Sequence, residues 1–381
     1  MKAFGLLVVG LCAWGTAGCE TARREAPPIM LAGPASGAPV AEVADSGLER
    51  YQRIVRNVAD CPLEGYQIVP TCAGMHELAA GIANVPADVR AEVGRSMLAH
   101  ASPAVRVKAA ELMHSEHRAR GSGLSVENQD AIADAATRER DPGVLRAFIR
   151  VIADHGTANA KVGAVLLAAA DHADKDVRLQ AVYALTSQAN RGLAGGSTKL
   201  AQLAEKDANA KVRTTACEYA GKLASDDLIP LYEKLTASAK DPDLYAACME
   251  GLVRMFHDHP ALDTANEKAY RLFLKRLAAA PRNETSPPWS VMSTFCYYSH
   301  GGEPTKLATW KQRAPWFDAA EVKRVMISVA SDKAASWMAR AAAVESMIGL
   351  GASKPELEAL RRRIDPRDKS VLDKIASAIA E

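Results

Sequence analysis

Aromatic residues are scarce in this chain, 5% of 381 positions, and neither charge is in excess: 47 lysines and arginines stand against 45 aspartates and glutamates, a net of +2. That balance excludes the broad basic footprint a nucleic-acid backbone requires. Short clusters such as Arg361-Arg362-Arg363 read as a solvated helix face, and no nucleic-acid partner is expected. After the first fifteen residues there is no long apolar run, so no second segment is a candidate to span a membrane. A Gly-rich phosphate loop, a Gly-x-Ser-x-Gly elbow and a His-Glu-x-x-His helix are all missing. The local signatures of nucleotide, serine-nucleophile and zinc chemistry go with them, and no cofactor is expected.

What is present is a recurring phrase: a small or acidic residue, often Pro next, then Val-Arg, then Ala. Its aligned apolar residues are Val105, Val144, Val177, Val212 and Leu244, spaced by 39, 33, 35 and 32 residues. A period of that size marks stacked supersecondary units. Each phrase is a helix start. Ser102, Asp141, Asp174 and Asp241 can accept from free backbone N–H groups at the N-cap. Pro103, Pro142 and Pro242 have no N–H to leave unpaired and a φ already set for a helix. Apolar residues follow at helical spacing, as in Val177, Ala181, Val182 and Leu185. About nineteen helices are read between residues 47 and 380.

Asp-Pro-x-Val-Arg-x-x-Ala-x-x-Ala-Leu resembles the second helix of a HEAT repeat in its short bacterial form. Ser102 to Leu112, Asp174 to Leu185 and Asp207 to Leu223 carry the likeness best. It fades after Phe256 and returns in degenerate form near Trp337 to Leu350 and Asp365 to Ile379. The Trp, Gly and Tyr spacing of tetratricopeptide repeats and the Thr-Pro-Leu-His of ankyrin are missing. The resemblance implies an all-α fold: a right-handed α-solenoid of stacked antiparallel helix pairs, a HEAT-like or armadillo-like superhelix. The expected divisions are a cap over 47–100, regular repeats over 101–258, irregular aromatic-rich repeats over 259–330 and C-terminal repeats over 331–381.

At the start, Lys2 precedes an apolar stretch from Ala3 to Gly15, then Thr16-Ala17-Gly18-Cys19. The layout is that of a signal peptide. The last four residues resemble the lipobox of bacterial lipoproteins, with Thr16 where that family usually has Leu. The likeness implies cleavage after residue 18, lipid on Cys19 and an anchor in the cell envelope. Glu20 in place of Asp leans toward the outer membrane, facing the periplasm. Residues 20–46, rich in Ala, Pro and Gly, read as a tether with a root-mean-square reach of about 30 Å.

Cysteine use suits an oxidising compartment. Cys61 and Cys72 bracket the loop Pro62 to Thr71 and are the pair expected to be bridged, stapling the end cap. Cys217 and Cys248 occupy nearly equivalent places in adjacent repeats. They are either a second pair or two small buried core residues, and the core reading is preferred. Cys296 has no evident partner.

One segment departs from the repeat. Residues 289–317 hold seven aromatics, among them Trp289, Tyr297, Tyr298, Trp310 and Trp316. Trp and Tyr anchor interfaces, which makes these five the candidate partner-binding residues; aromatics filling a broken period is the simpler alternative. The function expected is a non-catalytic scaffold, held at the membrane by the N-terminal lipid, that binds a protein or peptide of the envelope. A purely structural envelope protein is one alternative. The other is a metal-dependent or lyase-like enzyme using His76, Glu77, His114, Glu116 or His117, because HEAT-like repeats also occur in di-iron hydroxylases and phycobilin lyases.

Overall fold

A computed structural model describes residues 47–120, 123–237, 240–257, 266–280, 282 and 314–380. The leader, Cys19, the tether and Cys296 lie outside these residues, as do the helices expected near 287–299 and 303–313. Among the described residues, regular structure consists of seventeen α-helices, three short 3-10 turns and one two-stranded antiparallel ribbon.

The first helix, α1 (Gly47–Arg56), leads through the ribbon β1 (Leu63–Glu64) and β2 (Gln67–Ile68) to α2 (Ala73–Ile82). There follow α3 (Ala87–Met97), α4 (Pro103–Arg120), α5 (Val126–Ala136), α6 (Pro142–Ile152), α7 (Ala160–Ala169) and α8 (Lys175–Leu185). Next come α9 (Gly196–Lys206), α10 (Ala210–Ala220), α11 (Ile229–Leu235), α12 (Pro242–His257) and α13 (Glu267–Ala278). The last four are α14 (Ala319–Ala330), α15 (Trp337–Gly349), α16 (Lys354–Arg361) and α17 (Lys369–Ala380). Their starts follow the expected chemistry. Asp141 accepts from Val144 N–H at 3.0 Å with Pro142 behind it, Asp174 accepts from two N–H groups, and Asn209 does the same. Ser102 departs from it: its hydroxyl donates to the carbonyl of Ala59 at 2.6 Å, tying α4 to the end of α1.

Packing is local and regular. Consecutive helices pair as α3 with α4, α5 with α6, α7 with α8, α9 with α10 and α11 with α12. Alternate helices also touch in an unbroken series, α4 to α6 to α8 to α10 to α12. After the break, α14 packs on α15, α15 on α17, and α16 on α17. Val105, Val144, Val177 and Val212 are wholly buried in one continuous apolar core. The fifth phrase differs. Leu244 is only half-buried, and Tyr245 takes the interior place, its hydroxyl donating to the carbonyl of Arg276 at 3.2 Å. Burial pushes the Tyr245 phenol up to about 12, so it stays a donor.

Where the phrase carries an arginine, it links its unit to the next. Arg178 donates through Nη1 to the carbonyls of His172 and Ala173, both at 2.8 Å, closing its own helix start. Through Nε and Nη2 it grips Asp207 of the following unit at 2.6 and 2.9 Å. Arg106 repeats this with the carbonyls of His100 and Ala101 and with Glu139. Arg213 reaches Asp241 at 3.8 Å and Arg340 pairs with Asp368. The pairs made by Arg106, Arg178 and Arg340 are bidentate and sheltered from water, so they hold a fixed geometry.

Two disulfides are formed. Cys61–Cys72 is bonded as expected, with Cα atoms 5.8 Å apart. Cys217 and Cys248 are bonded as well, with Cα atoms 4.9 Å apart, which corrects the core reading preferred from sequence: both are buried, but as a bridge between α10 and α12. The helices can approach this closely because glycines face each other. A Cβ on Gly221 would lie 2.0 Å from the carbonyl oxygen of Gly251.

Candidate binding surface

Of the partner-binding residues expected from sequence, Trp289, Tyr297, Tyr298 and Trp310 lie outside the described residues. Trp316 is half-buried, its ring 4.8 Å from that of Tyr270, which is itself fully buried. Trp316 therefore packs as part of the wall between α13 and α14. The candidate metal residues come from two helices, α2 and α4. His76 and Glu77 are exposed on α2 and His114 is half-buried on α4; the side chains of Glu116 and His117 lie outside the described set. No group of three metal-ligating side chains occurs among the described residues. His100 and His172 have a different task. Each accepts through Nδ1, at 3.0 Å, from the backbone N–H two residues on, which organises the start of the next helix.

The series α4–α12 carries two clusters in which cations lie over tyrosine rings. The first joins the ribbon to α6. Gly65, at φ +65°, turns the chain between β1 and β2, and the next residue, Tyr66, presents its ring to Arg146 and Arg150. The guanidinium carbons lie 4.9 and 5.4 Å from the ring centroid. Close approach needs glycine on α6 too, since a Cβ on Gly143 would meet the carbonyl oxygen of Gly65 at 2.4 Å. The Cys61–Cys72 bridge pins the base of this loop.

The second cluster spans α8, α10 and α12. Tyr183 and Tyr219 meet edge to face, centroids 5.0 Å apart and rings at 74°. Lys222 Nζ lies 4.6 Å and the Arg254 guanidinium 5.2 Å from the centroid of Tyr219. Glu218 closes the cluster with an ion pair to Arg254 at 2.6 Å. Burial pushes the Tyr219 phenol up, and Glu218 and Tyr183 add to it. Tyr183 remains 43% exposed, one of the few large apolar side chains presented to water among the described residues. Tyr and Arg are the side chains that most often anchor protein interfaces.

A third feature is a groove of about 810 Å³ between α11 and α13, lined by Asp226, Glu233, Glu267, Lys268, Arg271 and Lys275. Its charges largely satisfy one another. Lys268 pairs with Asp226 and holds that carboxyl below its usual range, and Arg271 pairs with Glu267 at 3.3 Å. The groove thus presents a neutralised polar rim.

From sequence, Tyr219 reads as part of the apolar stripe of its helix, with Val212, Ala216, Ala220 and Leu223, and none of the cation–tyrosine residues reads as a binding residue. Two signals were available: Tyr183 and Tyr219 are 36 residues apart, close to the period, and Arg146 and Arg150 are i and i+4 on one helix face. The partner of each, Tyr66 or Arg254, comes from a distant stretch and has no local signal. No family model matches this chain, and a search of curated proteins finds no match to it either.

Proposed function

We propose that this chain is a HEAT-like right-handed α-solenoid, anchored by lipid on Cys19 in the bacterial cell envelope, that binds a protein or peptide partner without catalysing a reaction. The observation that carries the reading is the Tyr183–Tyr219 pair. Two neighbouring units each contribute one ring to a single patch that is left open to water. Stacked units with neighbour-only contacts make extended surfaces of this kind, and the i to i+2 packing from α4 to α12 supports that arrangement. Two disulfides support an oxidising compartment. No helix among the described residues is long and apolar enough to cross a membrane. Attachment through Cys19, facing the periplasm from the outer membrane, rests on the lipobox likeness.

The test is crosslinking in intact cells followed by mass spectrometry, with wild type beside Cys19→Ala and the Tyr183→Ala/Tyr219→Ala double variant. A specific partner is expected from the wild type, with loss in the double variant and reduced recovery without the anchor. Recovery of the same partner at wild-type level from the double variant would remove this surface from consideration.

A further inference from the structure

The two cation–tyrosine clusters differ in one respect. At Tyr219, the guanidinium of Arg254 has its carboxylate, Glu218, at 2.6 Å. At Tyr66, Arg146 and Arg150 lie within 5.4 Å of the same ring, yet neither makes an ion pair with a described residue. Among the described residues, the sheltered arginines Arg106, Arg178, Arg254 and Arg340 hold carboxylates. The nearby acids are engaged otherwise or stand apart. Asp174, which feels the charge of Arg146, accepts from the N–H groups of Asp176 and Val177. Glu64 is exposed on the ribbon and pairs with neither arginine.

We infer that Tyr66, Arg146 and Arg150 form a recognition site for the carboxylates of an acidic peptide segment. This rests on the binding reading above and supplies the chemical class of the partner. Both guanidiniums lie over one ring; Arg150 is exposed and turns its N–H groups to water, while Arg146 is half-buried with an Nε that finds no partner. Guanidinium N–H edges match carboxylates bidentately. Stacking restricts both side chains before a ligand arrives, which lowers the ordering cost of binding. Two like charges near one ring repel, and an anion bound beside them offsets that repulsion as well as adding its own attraction. The disulfide at the base of the ribbon and the glycine contact between Gly65 and Gly143 fix the ring that aligns them.

The test is fluorescence anisotropy with a labelled hexaglutamate peptide titrated with the purified chain. Wild type should bind, and Arg150→Gln, an exposed position that leaves folding intact, should weaken binding about tenfold, the size of one charge-assisted hydrogen-bonding contact. Tyr66→Leu removes no charge and should weaken it as well, by freeing the arginines. Arg361→Gln/Arg362→Gln removes two positive charges elsewhere and should bind as wild type. Equal loss in that control would reduce the site to general electrostatics. Failure of hexaglutamate to bind, or stronger capture by phosphatidylglycerol vesicles or displacement by inorganic phosphate at peptide-like concentrations, would overturn the inference. A purely structural role would lower the melting temperature of Arg150→Gln with no change in peptide affinity. If crosslinking in cells still captures a partner through Tyr183 and Tyr219, the scaffold reading survives the loss of this site.

Discussion

Arg178 serves two units at once: one nitrogen closes its own helix start and two others hold Asp207 of the next. Asp207 is almost fully sheltered, its side chain 3% exposed. Burial pushes its carboxyl up, but Arg178 and the N–H of Asn209 outweigh burial and hold it below the usual range. Asp174 is held down in the same sense by its helix N–H groups, against burial. A carboxylate more acidic in the folded state lends stability that is complete above its unfolded pKa. That stability is lost as pH falls through the lower folded value. Urea unfolding of the wild type should therefore be nearly flat from pH 7 to about 5 and lose stability below about pH 4. Asp207→Asn should be less stable at pH 7 by about 3 kcal/mol, since it leaves a sheltered guanidinium without its anion. It should also lose less on acidification than the wild type does. A variant with the wild-type acid slope would show that Asp207 has no part in it. The phrase containing Arg178 was plain in the sequence, but its partner was not, because the pairing crosses from one unit to the next.

At the scale of elements, α10 with its following turn lies unusually close to α12. Cys217 and Gly221 on one side face Cys248 and Gly251 on the other, and the Tyr232 hydroxyl donates to the Cys217 carbonyl at 2.8 Å. Gly221→Ala would set a Cβ against backbone, which cannot swing aside, and should cost about 3 kcal/mol. A thermal melt at wild-type stability would show that the helices can part without penalty. The apolar valines, the caps and the alternation of helices were legible because they are local and periodic. For Cys217 and Cys248 the sequence leaves a bridge as the less favoured of two readings, because cysteines at matching places in adjacent repeats come within reach only where glycines bring the helices together. Gly221 and Gly251, 30 residues apart, were the available sign. From sequence, 63–68 reads as loop, since two-residue strands leave no alternation to detect. Of the candidate site, the aromatic-rich stretch drew attention by composition, whereas Tyr66, Tyr183 and Tyr219 are single tyrosines in ordinary surroundings.

For the whole molecule, contacts between neighbours only imply that stability is regional. Hydrogen exchange before and after reduction should show it. Breaking both disulfides should speed amide exchange in α10 and α12 and in α1 and α2, while α6, between them, keeps its oxidised rate. Uniform acceleration along the chain would mean one cooperative body. The arginine links add a direction to this regional order. The residue after the phrase valine is Arg106, then Leu145, then Arg178, and the position five before the next valine is Glu139, then His172, then Asp207. Over these three joints a carboxylate stands there when the preceding unit sends an arginine, and a histidine when it sends leucine; for Arg213 that position is Ala239, and its carboxylate, Asp241, lies two residues on. Units in this stretch are therefore not interchangeable parts. Excising residues 139–171 would join an arginine to a histidine, whereas excising 139–206 would join Arg106 to Asp207 and keep the match. Deletion of two units within 106–207 should therefore keep an arginine facing its carboxylate, where deletion of one should not, so this stretch of the array carries a parity.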